Sequence, residues 1–396
     1  MVNFAYFVNQ PYIGYDHEAA AEYGAVMLKF SNKHFNAEHA ANLLERYHRE
    51  FKLAEDVGFD TILVNEHHNA PAAMSPIPNI SATVLAKITS SIKIFIGGNI
   101  LPIHGNPIKL AEELAMIDLI SKGRLISGFV RGGAVESLAM TTNTLHNREL
   151  FDEAHDLILK TWTQPGPFVW EGKHFDYRCV NPWVLPYQKP HPPIMIPGST
   201  SRETVEWAAK RGYPYVALAT RLEATEQMFN YYDQTARDHG HTVTNHNHGY
   251  MIRVHIAKTD EQAHEEGKLL FGGRMAQITS MTDMKIHPDV GAWMQPPGFV
   301  SKEAALARRK FMGGTPYAFF TQGYEKALEN SQIVVGSPKT VIKDLNKLIK
   351  RFRIGHLGIA HFPLEDESVT ERSMEFFGES VFPKLRELDA ENTKRN

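Results

Sequence analysis

Short apolar runs alternate with longer segments of helical periodicity along most of this chain, and no other feature restricts its fold as strongly. Residues 3–8 read as a first strand. Over 37–57, apolar or small residues recur as Ala40, Leu43, Leu44, Tyr47, Phe51 and Ala54, the spacing of one helix face. Gly58 ends that helix as a C-cap. The pattern repeats: strands at 61–64, 92–101, 124–130, 194–197, 215–219, 250–257 and 356–361, and helices at 80–88, 107–120, 147–162, 202–211, 224–239, 337–351 and 368–388. Pro107 suits the first turn of its helix. Eight strand–helix units predict a (β/α)8 TIM barrel, an α/β fold in which every parallel crossover is right-handed.

Two stretches interrupt the alternation within one barrel domain spanning 1–396. Residues 165–193 are rich in Pro, Gly and aromatics, among them Trp170, Phe175, Tyr177 and Trp183, and read as an excursion with a small hairpin. Residues 259–333 are too long for a simple connection. They carry Met275, Met281, Met284, Trp293, Met294, Pro296, Pro297, Phe299, Met312, Phe319 and Phe320. Adaptable Met and aromatic side chains suit an apolar pocket or substrate lid. An ordinary helical insertion with its own small core fits equally well.

Composition removes several classes of function. Hydrophobic residues make up 43% and charged residues 22% of the 396, so a sizeable core can be buried. The formal net charge is −3 and no basic stripe stands out, which argues against nucleic acid as a partner. A single Cys, Cys179, excludes an internal disulfide framework and fits a reducing cytoplasm. The start Met1-Val2-Asn3-Phe4-Ala5 is not that of a signal peptide, and no apolar run is long enough to span a membrane.

The candidate chemistry lies at the carboxyl ends of the predicted strands, the rim where barrel active sites are built. Glu66-His67-His68 follows the second strand. Taken alone it fits metal ligands, a general base or structural histidines. Gly97-Gly98-Asn99 in the third strand permits close approach of a flat ligand. Arg131 ends the fourth strand, where a guanidinium can grip a phosphate or carbonyl, or pair with a rim carboxylate. After the fifth strand, Gly198-Ser199-Thr200-Ser201, with Thr204 in the helix, places hydroxyls beside unpaired helix N–H groups, a ready anion site. Simple N-capping by Ser201 needs only one of those hydroxyls. Together the four strand ends describe a phosphate grip, a glycine floor and an imidazole. That reasoning stops at a phosphate-containing ligand on a barrel rim.

The chain resembles the bacterial luciferase-like family of flavin-dependent monooxygenases. Carrying the resemblance are Glu66-His67-His68, Leu101-Pro102-Ile103-His104-Gly105-Asn106-Pro107, Ile117-Asp118-Leu119-Ile120-Ser121-Lys122-Gly123-Arg124, Val130-Arg131-Gly132 and Thr204-Val205-Glu206-Trp207-Ala208-Ala209. The resemblance implies a barrel that uses reduced FMN and O2 through a flavin peroxide adduct, and the 259–333 insertion points to an apolar or aromatic small molecule as the substrate. It implies a homodimer, with reduced flavin supplied by a separate NAD(P)H:flavin reductase, so that NAD(P)H acts indirectly. By position, His67 matches the family's active-site His and Glu66 its neighbour near the ring. Gly97 and Gly98 match the segment under the isoalloxazine, where a non-proline cis peptide is common. Arg131, Ser201 and Thr204 match phosphate or ribityl contacts. The chain departs from luciferase itself in its Gly-Ser-Thr-Ser loop and in having Val130 where luciferase has a cysteine, which argues for a non-luminescent monooxygenase.

Three rival readings follow. A deazaflavin-dependent dehydrogenase would use the same loop for hydride transfer. A metal-dependent hydrolase would take His67 and His68 as ligands, but adjacent residues on a strand point to opposite faces. A non-catalytic flavin-binding subunit would have no need of His67. The same geometry lets only one of the pair meet the flavin; the resemblance implies that this is His67 and leaves His68 structural.

Overall fold

The computed structural model describes residues 1–16, 19–20, 23, 30–140, 142–199, 201–218, 220–272 and 323–395. Strands β1 (Asn3–Val8), β2 (Thr61–Val64), β3 (Lys93–Ile100) and β4 (Leu125–Val130) alternate with helices α1 (Ala37–Asp56), α2 (Pro78–Ile88) and α3 (Pro107–Ser121). A short helix α4 (Ala134–Ala139) precedes α5 (Asn147–Thr163), and an antiparallel hairpin, β5 (Phe168–Glu171) and β6 (Asp176–Val180), follows. Then come β7 (Ile194–Gly198), α6 (Arg202–Lys210), β8 (Tyr215–Leu218), α7 (Leu222–Asp238), β9 (His248–Ile256) and α8 (Asp260–Gly272). The chain ends with α9 (Tyr324–Glu329), β10 (Ile333–Gly336), α10 (Pro338–Phe352), β11 (His356–His361), α11 (Glu367–Phe376) and α12 (Phe382–Arg395).

The strands β1-β2-β3-β4-β7-β8-β9-β11 are all parallel and close on β1, giving the expected (β/α)8 barrel. Burial separates two cores. Alternate strand residues such as Phe4, Tyr6, Ile62, Ile94, Phe129, Ile196 and Ile252 face the helices. Leu63, Phe95, Met195 and Val216, with Phe7, Ile126 and Leu218, fill the barrel interior as a plug. The excursion is tied to the barrel by buried Asp118, whose two carboxylate oxygens accept from the backbone N–H and side-chain amide of Gln188, both at 2.8 Å. Arg124 sits at the amino end of β4 and donates to carbonyls of Ala86, Thr89, Ile92 and Ser121. It is a clamp on the barrel floor, far from the rim chemistry.

Three features differ from the pattern-based expectation. β10 is a strand that the sequence pattern hides, because Ile333–Gly336 abuts the start of α10. It pairs with the outer half of β9, where Arg253 meets Ile333 on one side and Ala360 on the other. The closing helix is interrupted by a π-helical turn at Phe377–Val381. α4 is also unexpected, and it carries a site residue. Of the 259–333 insertion, residues 273–322 lie outside the described residues, and with them every Met and aromatic residue named as lid-forming. No helix among the described residues is long and apolar enough to cross a membrane.

Candidate active site

β2 is buried along its whole length, and the chain leaves the barrel wall after Val64. Asn65 donates to Asn9 Oδ1 at the end of β1 (2.7 Å), which stitches the two strand ends together. The next three residues then part company. Glu66 is buried and accepts the backbone N–H of Ile100 (2.6 Å) and the imidazole N–H of His68 (3.1 Å), with His104 Nε2 at 3.3 Å. His67 turns the other way, and its Nδ1 donates to Glu136 Oε1 (2.8 Å).

His68 and His104 line a groove of about 650 Å³ between α2 and α3, together with Ile77, Ile80 and Met116. The expected divergence of the two adjacent histidines is thus present, and it separates a rim imidazole from an outer-face imidazole.

Glu136 is the residue the sequence reading missed. It sits on α4, is buried, and accepts the N–H of Gly133 (3.1 Å) at that helix's own start. Gly133-Ala134-Val135-Glu136 is the spacing of a capping box with glycine at the cap, and that was the available signal. Burial pushes the Glu136 carboxyl up, but the hydrogen bond and charge of His67 and the backbone N–H groups outweigh it, so its pKa is lowered. Burial alone would lower the His67 pKa. Glu136, by hydrogen bond and charge, and Glu66, by charge, raise it instead. Because a carboxylate can only accept, the His67 proton sits on Nδ1 and Nε2 is the nitrogen available at the rim. The His67 side chain is 34% exposed.

Glu66 carries a stability prediction. Burial raises its carboxyl, but His104, His68 and the Ile100 N–H together lower it to about 2. A depressed carboxyl stabilises the fold above its unfolded value, 4.5, and loses that contribution as pH falls through the folded value. Glu66→Gln should therefore cost on the order of 3 kcal/mol at neutral pH and flatten the pH dependence of stability between about 4.5 and 2. Denaturant unfolding of both proteins across that window checks this.

The remaining predicted residues lie along one arc of the rim, since β2, β3, β4 and β7 are consecutive in the sheet. The Gly97–Gly98 peptide is cis, and the β3–β4 register shifts between Ile96 and Asn99. Gly97 is half-buried above the plug, where an added Cβ would meet the Phe95 ring at 3.1 Å and Leu63 at 3.3 Å, so the floor there is flat backbone. Gly98 has a different reason to be glycine: its Cβ would stand 2.4 Å from the carbonyl oxygen of Gly128 on β4. Asn99 is fully buried and donates to Asn79 of α2 (3.0 Å). That bond ties β3 to α2, and the Asn99 Oδ1 is left buried without a hydrogen-bond partner. Arg131 follows β4 and is half-buried.

Gly198 ends β7, and a Cβ there would press on the Tyr215 ring at 2.9 Å. Ser199 is exposed, and Thr200 lies outside the described residues. Ser201 is the N-cap of α6, its hydroxyl accepting from the Thr204 N–H (3.3 Å), and both residues are half-buried. The capping role is therefore filled by one hydroxyl. Among the described residues no trio of His, Cys, Asp or Glu ligand atoms converges at the rim.

Comparison with known proteins sharpens the picture. The chain is 23% identical over 245 residues to the alkanal monooxygenase alpha chain of Photorhabdus laumondii, covering 61% of this chain and 67% of that one. Matches to other alkanal monooxygenase alpha chains span from 54% to 99% of those chains' length. The fold superposes on the oxygenating constituent of 3,6-diketocamphane monooxygenase from Pseudomonas putida, a type II Baeyer–Villiger monooxygenase in complex with FMN. There the TM-score is 0.69 at 21% identity, over 97% of this chain and 99% of that one. It also superposes on the coenzyme F420-dependent tetrahydromethanopterin reductase of Methanopyrus kandleri, with a TM-score of 0.62 at 16% identity over 97% and 99% of the two chains. The family model for luciferase-like monooxygenases matches residues 25–352. The chain belongs to the luciferase-like monooxygenase family.

Proposed function

We propose that the chain is an FMN-dependent monooxygenase that incorporates one oxygen atom of O2 into an apolar or aromatic small molecule. A separate NAD(P)H:flavin reductase supplies the reduced flavin. The observation that carries this reading is the His67–Glu136 pair on the same rim arc as Arg131 and the α6 N-terminus. The donor set fits FMN. A guanidinium, a helix N-terminus and the hydroxyls of Ser199, Ser201 and Thr204 suit a phosphate, and the bare backbone at Gly97 suits a planar ring. Reduced FMN, when bound, supplies the two electrons that activate O2. Of the earlier cofactor candidates, Glu66 acts indirectly, by fixing the backbone at Ile100 and orienting His68.

His67 holds and moves a proton at Nε2. Glu136 keeps the other proton on Nδ1 and fixes the ring's orientation, so the rim-side nitrogen presents one defined state. The Leu63–Phe95–Met195–Val216 plug closes the barrel from below and excludes water from that side. The α2–α3 face, with Ile80 62% and Met116 52% exposed around an apolar groove, supports the homodimer reading.

The alternative is hydride transfer with F420, which shares the fold. A coupled assay with FMN, a generic flavin reductase and a panel of ketones and phenols under labelled O2 separates the two. A true substrate gains one labelled oxygen and lowers hydrogen peroxide release. Oxidised products without label would reject the reading.

A further inference from the structure

A second cluster of chemistry-bearing side chains lies away from the rim, where the β5–β6 hairpin meets the start of α5. We propose that His146, Glu149 and His174 form a surface site for a divalent transition-metal cation of the zinc type, which clamps the hairpin to α5. One ligand atom from each residue lies within 4.8 Å of the other two. The Glu149 Oε2 stands 3.2 Å from His146 Nδ1 and 3.0 Å from His174 Nε2. Two imidazoles and one carboxylate are a donor set for zinc, with water completing the tetrahedron, whereas magnesium and calcium call for oxygen ligands.

The sequence builds the site from two elements. His146 is the N-cap residue of α5 and Glu149 lies in its first turn, so a spacing of three puts both on one face. His174 comes from the hairpin turn and is held there without any metal. Glu153, one helical turn beyond Glu149, accepts the backbone N–H groups of Lys173 (3.1 Å), His174 (2.9 Å) and Phe175 (3.0 Å) and the indole N–H of Trp170 (3.2 Å). The turn is therefore pinned by an anchor that contributes no ligand. Little ordering remains to be done when a cation arrives, which is what favours tight binding. His146 and Glu149 are 48% and 45% exposed, so the site is open to entry.

Two features oppose binding. The positive end of the α5 dipole weakly disfavours a cation. Lys173 Nζ also sits 2.7 Å from Glu149 Oε1, although its side chain is 65% exposed and has room to swing away. The lysine gives the idea a discriminating test, because removing it should help a metal site and harm a hairpin anchored only by ion pairs.

The experiment uses the full chain, free of any affinity tag and stripped of metal, titrated with zinc chloride by calorimetry and with cobalt(II) by visible absorption. One equivalent should bind, with a tetrahedral cobalt spectrum, and zinc should raise the melting temperature. His174→Ala and Glu149→Gln should each weaken binding at least about tenfold. Lys173→Ala should tighten it about two- to fivefold, the size of one exposed ion pair. No binding, or binding left unchanged by both Glu149→Gln and His174→Ala, overturns the proposal. The second result would place the cation on other exposed histidines such as His239. Glu149→Gln and Lys173→Ala leave the Glu153 anchor intact, so the test stands even if His174→Ala loosens the hairpin.

Discussion

Replacing His67 by alanine or glutamine is expected to lower the rate of substrate oxygenation by about 10²–10⁴-fold, the usual weight of a positioned proton-transfer group. Glutamine is the sharper variant. Its amide can still donate to Glu136, so the buried carboxylate keeps a partner and the fold is spared, while the titrating nitrogen is gone. Hydrogen peroxide release should rise as product falls. Glu136→Gln tests the supporting half. It removes the charge that holds the His67 pKa up, so the pH profile of oxygenation should move to lower pH with a smaller rate loss. The linkage has a definite sign: a raised histidine contributes stability at low pH that is lost as pH rises through its folded value. Stability of the wild type should therefore fall relative to Glu136→Gln as pH rises above 6.5, the ordinary value for the imidazole. Unchanged product and peroxide yields in both His67 variants would remove His67 from the mechanism.

The second large effect is structural. Gly98→Ala should destabilise the protein by about 3 kcal/mol or more, because the new methyl would meet backbone and not a yielding side chain. The Cβ would lie 2.4 Å from Gly128 O and 2.8 Å from Phe129 N, and neither can move without opening the β3–β4 pair. The reciprocal position is as tight, since a Cβ on Gly128 would stand 2.2 Å from Ile96 O. Gly105→Ala is the control: nothing lies within 4 Å of its Cβ, and a change within about 0.5 kcal/mol is expected. Chemical denaturation of both variants measures the difference.

The glycines illustrate what could be read in advance. The barrel was legible because continuous apolar runs and the period-3.6 pattern depend only on neighbours along the chain, as in 61–64 and 37–57. That Gly97-Gly98 marks a special backbone was also legible, but its cause was not. A sequence shows that a Cβ is missing, not whether a ligand or a neighbouring strand requires its absence. The bulge beside Asn99, and the bond from its amide N–H to Asn79, are set by neighbours that the local pattern does not reveal. Glu136 escaped because its partner lies 69 positions away, and no local period links a helix N-terminus to the end of β2. β10 and the π turn are likewise tertiary outcomes.

The proposed function requires the rim arc to bind reduced FMN as the electron source for O2. Anaerobic titration with reduced FMN, in parallel with reduced F420, addresses it directly. Saturable FMN binding is expected, weakened at least about tenfold by Arg131→Ala, the loss of one charge-assisted phosphate contact. Tighter binding of F420, or FMN binding indifferent to Arg131, would contradict the account.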